Sequence, residues 1–188
     1  DDALSTVSRA LGHDFADPGL LRDALTHRSF ANERPRLAPR DNERLEFLGD
    51  SVVGLAAAGL LFERFPEAPE GELTRRRADL VCEATLAGVA TELGLGEALR
   101  LGRGERKTGG HEKPRLLASA LEACLGAVFV DAGGTAADAV ARRVLDGRVA
   151  PEAPGARDFK SRVQEIVQGR HADTPRYRLL DARGPDHA

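Results

Sequence analysis

The sequence feature that most constrains this chain is an apolar segment of helical length that contains one acid. The run from Leu116 to Val130, LLASALEACLGAVFV, has a single charged side chain, Glu122. An unpaired carboxylate taken out of water costs several kcal/mol or more, and it usually binds a proton instead of staying ionised. If this segment lies in the interior, Glu122 therefore needs a compensating group close by.

A second long apolar segment carries three acids on one face. It runs from about Asp41 to Phe65, and Glu43, Glu46 and Asp50 occupy positions i, i+3 and i+7. At about 100° per residue these side chains point within roughly 60° of one another. A solvated acidic face is the simplest interpretation of such a cluster. It is disfavoured here because apolar residues surround the acids: Leu45, Phe47, Leu48, Val52 and Val53.

Acids that face inward from two apolar helices can share one divalent cation. Ligation by oxygen alone favours Mg²⁺, or Mn²⁺, and the sequence has no cluster of Cys and His residues suited to zinc. Such an ion activates water and stabilises the charge that develops during an in-line phosphoryl displacement. The pattern therefore predicts a nuclease-like centre that acts on a phosphodiester.

Helical periodicity covers most of the chain and predicts an all-α domain. The basic, glycine-rich segment LGRGERKTGGHEKPR predicts a loop over at least part of its length, and PEAPG at residues 151–155 predicts a linker. The segment RYRLLDA that follows alternates as a strand would. The predicted helices are Leu4–Leu11, Pro18–His27, Asp41–Phe65, Glu70–Leu95, one that includes Leu116–Val130, Ala136–Arg148 and Phe159–Gln168.

Composition narrows the class of protein. The longest apolar run is shorter than the roughly 20 residues that cross a bilayer, and no signal-peptide pattern opens the chain, so we expect no membrane association. Cys82 and Cys124 lie far apart among small or apolar residues, which favours buried reduced thiols and a cytoplasmic location. The formal net charge of −3 argues against a uniformly basic surface but leaves room for a local basic face.

The blocks around the acids resemble a known family. NERLEFLGDSVVGL, Asn42–Leu55, resembles the signature of the bacterial ribonuclease III family, and LTHRSF, FPEAPEGELTRRRADLV, LGRGERKTGG and LEACLGAVFVDAGG resemble its other blocks in order. The resemblance implies an all-helical endonuclease domain that forms a homodimer around a valley for double-stranded RNA. It also implies Mg²⁺-dependent hydrolysis of both strands, which leaves 5′-phosphate and 3′-hydroxyl ends.

The resemblance also suggests roles for individual residues. It makes Glu46 and Glu122 metal ligands, and Asp50 a ligand or an orienter of bound water; these three are the catalytic candidates. Phe47 is the candidate for a hydrophobic residue that plugs a socket on the other subunit. Four further residues are expected to contact RNA, metal-bound water or the partner subunit: Asn42, Glu43, Arg44 and Glu70.

One position departs from the pattern of the family. Ser119 stands where the family usually has Asp, three residues before Glu122 and on the same helical face. A neutral hydroxyl is a weak ligand and removes one negative charge, so we expect weaker Mg²⁺ binding. The alternative function is a catalytically impaired relative that binds double-stranded RNA on the same fold.

Two other patterns left alternatives open. The basic residues Arg103, Arg106 and Lys107 could contact RNA phosphates, although loops of this kind are about as often merely solvated. His27 and Ser29 could form a catalytic pair of a base and a nucleophile. A packed structural histidine is the favoured interpretation, because no third orienting group is evident.

The end of the chain resembles the start of an α+β double-stranded RNA-binding domain. On this basis we divide the chain into an endonuclease domain at residues 1–150, a linker at 151–157 and the first part of the RNA-binding domain at 158–188. The later strands and second helix of such a domain are absent from this sequence. Its predicted contacts with the RNA minor groove are Ser161, Gln164, Glu165, Gln168 and His187.

Overall fold

The computed structural model describes residues 2–38 and 40–150, and in this part the prediction of an all-α fold is confirmed. These residues contain no β-strand, and an isolated parallel bridge joins Thr26 to Arg100. Two 3₁₀ turns, Gly110–Glu112 and Asp146–Arg148, flank the last helix. The helices are α1 Asp2–Leu11, α2 Pro18–Ala24, α3 Arg28–Glu33, α4 Glu43–Arg64, α5 Glu70–Leu80, α6 Glu83–Glu92, α7 Leu95–Ala98, α8 Arg103–Lys107 and α9 Pro114–Leu145.

The predicted helix Pro18–His27 is too long. Helix α2 ends at Ala24 because the next backbone groups pair with a distant segment: Arg100 N donates to Leu25 O at 2.8 Å, and His27 N donates to Arg100 O at 3.1 Å. The short helix α3 then begins at Arg28, and the sequence prediction missed it. These pairings join segments that are more than seventy residues apart, so local periodicity could not reveal them.

The predicted helix Glu70–Leu95 is interrupted, and the predicted basic loop is partly helical. Cys82 has an extended backbone (φ −70°, ψ 155°), which separates α5 from α6, and Thr85 Oγ1 donates to Asp79 O at 2.8 Å across the break. Side-chain hydrogen bonds of this kind compete with helix continuation. Within the segment predicted as a loop, Arg103–Lys107 forms helix α8.

The core is built on the packing of α4 against α9, with α6 and α2 also packed on α9. Leu121, Leu125 and Val128 of α9 are fully buried together with Val53 and Leu61 of α4. Each such side chain contributes about 1.5–3 kcal/mol through removal of apolar surface from water. The described residues belong to one compact unit, Asp1–Pro151, whereas the predictions for residues 151–188 fall outside the described part of the chain.

Two glycines set the distance between α4 and α9. A Cβ atom on Gly49 would lie 1.7 Å from the carbonyl oxygen of Glu122, and a Cβ on Gly126 would lie 2.1 Å from that of Leu45. Real side-chain carbons do not approach a carbonyl oxygen this closely, so the crossing requires glycine on both helices. Because Gly49 lies between Glu46 and Asp50, the contact places the acidic face of α4 beside Glu122.

Helix α9 contains one sharp kink, at Gly133. Its φ of 81° and ψ of 177° are non-helical and lie in a region that side chains disfavour. The part before the kink carries Glu122, and the part after it buries Ala137, Ala141 and Leu145 in the same core. The kink accounts for the sequence prediction of a separate helix that begins at Ala136.

By length and mean hydropathy alone, two helical segments in the described part of the chain are apolar enough to cross a membrane. They are Glu43–Arg64 and Pro114–Arg148, each with a mean hydropathy of 1.6 in its most apolar window. The sequence expectation considered only uninterrupted apolar runs, so it did not identify these windows. The same windows are 33% and 56% buried inside the domain, and core helices of globular proteins meet the same criterion.

The two cysteines differ in environment. Cys124 is fully buried, and burial raises the pKa of its thiol to about 12. Cys82 is exposed, so the prediction of two buried thiols holds for Cys124 only. Hydrogen bonds with Thr85 lower the pKa of the Cys82 thiol.

We predict that Gly49→Ala and Gly126→Ala each lower the free energy of unfolding by about 3 kcal/mol or more, because the added carbon forces the α4–α9 crossing apart. Urea unfolding followed by circular dichroism measures this change. The control is Gly88→Ala in α6, where the added carbon would contact only the guanidinium of Arg148 at 3.4 Å. This control should gain about 0.5–1 kcal/mol through helix propensity. Unchanged stability of both crossing variants would contradict the packing described here.

Candidate active site

The acids of α4 and α9 meet at one cavity of about 920 Å³. One side, which we call the acidic wall, is formed by Glu46, Asp50 and Glu122. The lining residues that carry N–H donors, which we call the donor wall, are His27, Arg28, Asn32, Lys113 and Arg115. The other lining residues are Ser29, Asn42, Glu43, Phe47, Glu105, Leu116 and Ser119.

Glu122 is the most perturbed acid of the cavity. Its side chain is partly buried, and this burial together with the nearby charges of Asp50 and Glu46 raises its pKa from 4.5 to about 7. Within residues 2–38 and 40–150, no basic side chain forms an ion pair with it. The compensating group that the sequence calls for is therefore not one of the described side chains.

Ser119 is hydrogen-bonded to the acidic wall. Its Oγ donates to Glu46 Oε1 at 2.8 Å, which links α9 to α4 beside Glu122. An Asp at this position would add a negative charge next to Glu46, whereas the serine hydroxyl donates to that carboxylate. The bond therefore orients Glu46 and uses one of its lone pairs.

The acidic wall offers oxygen ligands but not a compact cage. Among the described residues, no three His, Cys, Asp or Glu side chains lie close enough together to hold a metal ion by themselves. The donor set nevertheless fits a hard cation that keeps several waters, because all the donors are oxygens and no described side chain supplies a counter-charge to Glu122. Mg²⁺ and Mn²⁺ have this chemistry, and zinc does not prefer it.

The residues predicted to contact RNA or the partner subunit divide into two groups. Asn42 is 3% exposed and lines the cavity, as does Glu43, which pairs with Arg28 at 3.2 Å. Arg44 and Glu70 are exposed and do not line it; Glu70 accepts a hydrogen bond from Thr74 Oγ1 at 2.7 Å. The cavity thus brings together the acids of α4 and α9 but not Glu70.

The predicted basic residues lie on α8, outside the cavity. Arg103, Arg106 and Lys107 are exposed, and α8 is held to α3 because Arg103 N donates to Glu33 Oε1 at 2.9 Å. The predicted contacts in the C-terminal segment, namely Ser161, Gln164, Glu165, Gln168 and His187, lie outside the described residues.

Sequence reasoning assigned none of the five donor-wall residues to the site. Lys113 and Arg115 flank Pro114, the first residue of α9, so a helix-start argument could have placed them near the acids of the same helix. His27 was predicted to be structural, and it does cap α3, where its side chain accepts from Ser29 N. It also lines the cavity, a position that no local pattern indicates.

Helix α4 also presents an apolar face to the solvent. Phe47, Leu55 and Phe62 are 81%, 73% and 71% exposed, and their directions fall within about 80° of arc. Exposed large apolar side chains aligned on one face mark an interaction surface more often than a free one. We call this surface the α4 face.

Comparisons with known proteins agree on one family. The sequence profile described as Ribonuclease-III-like matches residues 17–147. A ribonuclease 3 from Thiobacillus denitrificans is 49% identical over 184 residues, which cover 96% of this chain and 78% of the relative. One from Aromatoleum aromaticum is 49% identical over 187 residues, which cover 98% of this chain and 80% of the relative.

A solved structure supports the same assignment. The nuclease domain of ribonuclease III from Campylobacter jejuni superposes with a TM-score of 0.72 at 38% identity, covering 79% of this chain and 99% of that chain. That structure is described for flexibility in a region involved in dimer formation. Sequence and fold together show that this chain belongs to the ribonuclease III family.

Proposed function

We propose that the chain hydrolyses phosphodiester bonds of double-stranded RNA with the help of a divalent cation, Mg²⁺ or Mn²⁺. The observation that carries this proposal is the partly buried Glu122, which lies near Asp50 and Glu46 and has no ion-pair partner among residues 2–38 and 40–150. Membership of the ribonuclease III family supports the RNA substrate. The proposed products carry 5′-phosphate and 3′-hydroxyl ends.

In this proposal Glu46 and Glu122 hold the cation, and Asp50 is a further ligand or orients its water. The bound cation would supply an activated water and stabilise the negative charge that develops on the phosphate. Arg115 on the donor wall attracts the RNA backbone to the cavity electrostatically. Asn42 and Glu43, at the start of α4, act on the substrate side of the cavity.

A second copy of the chain is the proposed partner of the α4 face. The flexible region of the Campylobacter nuclease domain is described as involved in dimer formation, and the α4 face offers the apolar surface that a homodimer needs. Phe47 lines the cavity and is also 81% exposed, so packing at this residue would connect the partner to the catalytic cavity.

Several further parts of the proposal rest on sequence. Contacts of Arg44, Glu70, Arg103, Arg106 and Lys107 with RNA or the partner are proposals. The RNA-binding role of residues 158–188, the linker at 151–157 and the cytoplasmic location also stay predictions.

The runner-up function is binding of double-stranded RNA without efficient cleavage. The observation that favours it is Ser119, because its hydroxyl donates to Glu46 Oε1 where a carboxylate would add a ligand. The two functions differ in the fate of the substrate. Both predict retarded RNA complexes, but only the first predicts fragments.

A labelled long RNA duplex incubated with the protein and Mg²⁺ separates the two functions. We expect fragments with 5′-phosphate ends, no fragments in EDTA, and at least a hundredfold slower cleavage by Glu46→Gln, because it removes one ligand charge.

Ser119→Asp should raise the rate at low Mg²⁺ by about tenfold by adding an anionic ligand. Retarded complexes without fragments would favour the runner-up function. Equal cleavage rates of wild type and Ser119→Asp across a Mg²⁺ titration would show that Ser119 does not limit cleavage.

We predict that the effect of Glu122→Gln on the free energy of unfolding changes sign when metal is added. Because the folded pKa of Glu122, about 7, exceeds its ordinary 4.5, the protonated form stabilises the metal-free fold. This contribution is complete below pH 4.5 and is lost as the pH rises through 7. Because the Glu122 side chain is partly exposed, we expect its contribution to the free energy of unfolding to be only about 1–2 kcal/mol.

Thermal unfolding in EDTA at pH 5 and pH 8 measures this loss. Relative to wild type, Glu122→Gln should become more stable at pH 8 in EDTA and less stable at pH 8 in saturating Mg²⁺. Glu97→Gln, an exposed acid on α7, is the control and should show neither trend. A pH-independent difference between wild type and Glu122→Gln would contradict the electrostatic account.

A separate prediction concerns dimerisation through the α4 face. Phe47→Ser should weaken dimerisation at least tenfold, because it removes a large apolar side chain from the proposed interface. Leu37→Ser is the matched control, since Leu37 is 66% exposed but lies outside α4. Sedimentation velocity across micromolar concentrations measures both variants. A wild-type protein that stays monomeric there would contradict the proposed dimer.

A further inference from the structure

His27 is held in the cavity wall by a defined set of hydrogen bonds. Its Nδ1 accepts from Ser29 N at 3.3 Å and lies 2.8 Å from Ser29 Oγ. Ser29 Oγ in turn accepts from Gly102 N at 2.9 Å. Because this oxygen already receives a backbone N–H, its own proton is free to be donated to Nδ1.

These bonds determine the tautomer of the ring. With Nδ1 accepting from both the amide and the hydroxyl of Ser29, the neutral imidazole carries its proton on Nε2. Burial lowers the pKa of His27 below its usual range, with Glu105 opposing the shift, which favours the neutral ring near pH 7. The His27 backbone is also fixed, since its N donates to Arg100 O at 3.1 Å.

The ring nitrogen that remains is available to a ligand of the cavity. His27 lines the cavity, and no side chain or backbone group in the described part of the chain hydrogen-bonds its Nε2. Two neighbours on the donor wall are already engaged: Arg28 with Glu43 at 3.2 Å, and Lys113 with Glu105 and with Thr108 Oγ1. The Nε2–H therefore has an orientation fixed by the protein and no acceptor among the residues that the structure describes.

We propose that the Nε2–H of His27 donates a hydrogen bond to a non-bridging phosphate oxygen of the RNA strand in the cavity, with Ser29 as the positioning residue that fixes its tautomer. This inference rests on the proposed function, since it names a substrate contact of the same site. An anionic oxygen is the matching acceptor, because a hydrogen bond to an ionised acceptor is stronger than one to a neutral group, and most hydrogen bonds from proteins to nucleic acids go to the phosphate and sugar.

One substitution distinguishes an RNA contact of His27 from its role as the N-cap of α3. Asn is among the best N-cap residues, so His27→Asn keeps an acceptor for Ser29 N but is too short to present a donor where Nε2 lies. Ser29→Ala keeps the imidazole and removes the hydroxyl that orients it. A structural histidine would tolerate the asparagine, whereas an RNA-contacting histidine would not.

The test uses the whole chain in EDTA, with a short RNA duplex as the probe. Long-range ¹H–¹⁵N spectra of the imidazole rings, assigned by the signal missing in His27→Asn, should show the Nε2–H tautomer and a shift of that resonance when RNA is added. Ser29→Ala should show mixed tautomers. RNA affinity should fall about tenfold in His27→Asn, while its melting temperature stays within a few degrees of wild type.

The outcomes separate the contact from the proposed hydrolysis. An unshifted His27 resonance with RNA bound, or wild-type affinity of His27→Asn, overturns the contact even if the wild type cleaves RNA. A shifted resonance, together with weaker RNA binding by His27→Asn, supports the contact even if Mg²⁺ produces no fragments. In that case only the proposed hydrolysis is contradicted. If His27→Asn does not fold, the wild-type resonance, assigned through Ser29→Ala, still decides the question.

Discussion

The close crossing of α4 and α9 is the constraint on which the site depends. Gly49 and Gly126 let each helix backbone contact the other, and any side chain there would collide with a carbonyl oxygen. Since Glu46 and Asp50 flank the first glycine and Glu122 lies one turn before the second, the contact that packs the core also gathers the acids. Stability and chemistry are thus coupled at one crossing: the helices pack tightly, and their carboxylates repel.

That repulsion explains the electrostatic character of the cavity. Glu122 loses hydration and faces two acidic neighbours, and both effects disfavour its charged form. Ser119 relieves part of this cost, because its hydroxyl donates to Glu46 without adding a charge. We expect a serine here to attract a cation less strongly than an aspartate would, because the hydroxyl adds no negative charge. Strained acidic clusters of this kind are typical of functional sites.

The sequence predicted the parts of this site that depend on local periodicity. Helical spacing put Glu43, Glu46 and Asp50 on one face and identified Glu122 as the anomalous acid, and the structure brings all four to one cavity. Periodicity could not reveal His27, whose position depends on Thr26–Arg100 pairing and on the bond between Ser29 and Gly102. It also missed the break at Cys82, because side-chain hydrogen bonds there override a continuous helical pattern.

The central claim is that acids from α4 and α9 share one hard cation, and its most direct test is crystallography with Mn²⁺. Crystals of the whole chain grown with Mn²⁺ at neutral pH would be measured for anomalous scattering at the manganese edge. We expect a peak within about 2 Å of carboxylate oxygens of both Glu46 and Glu122. A peak bound by the acids of one helix alone, or an empty cavity at saturating Mn²⁺, would contradict it.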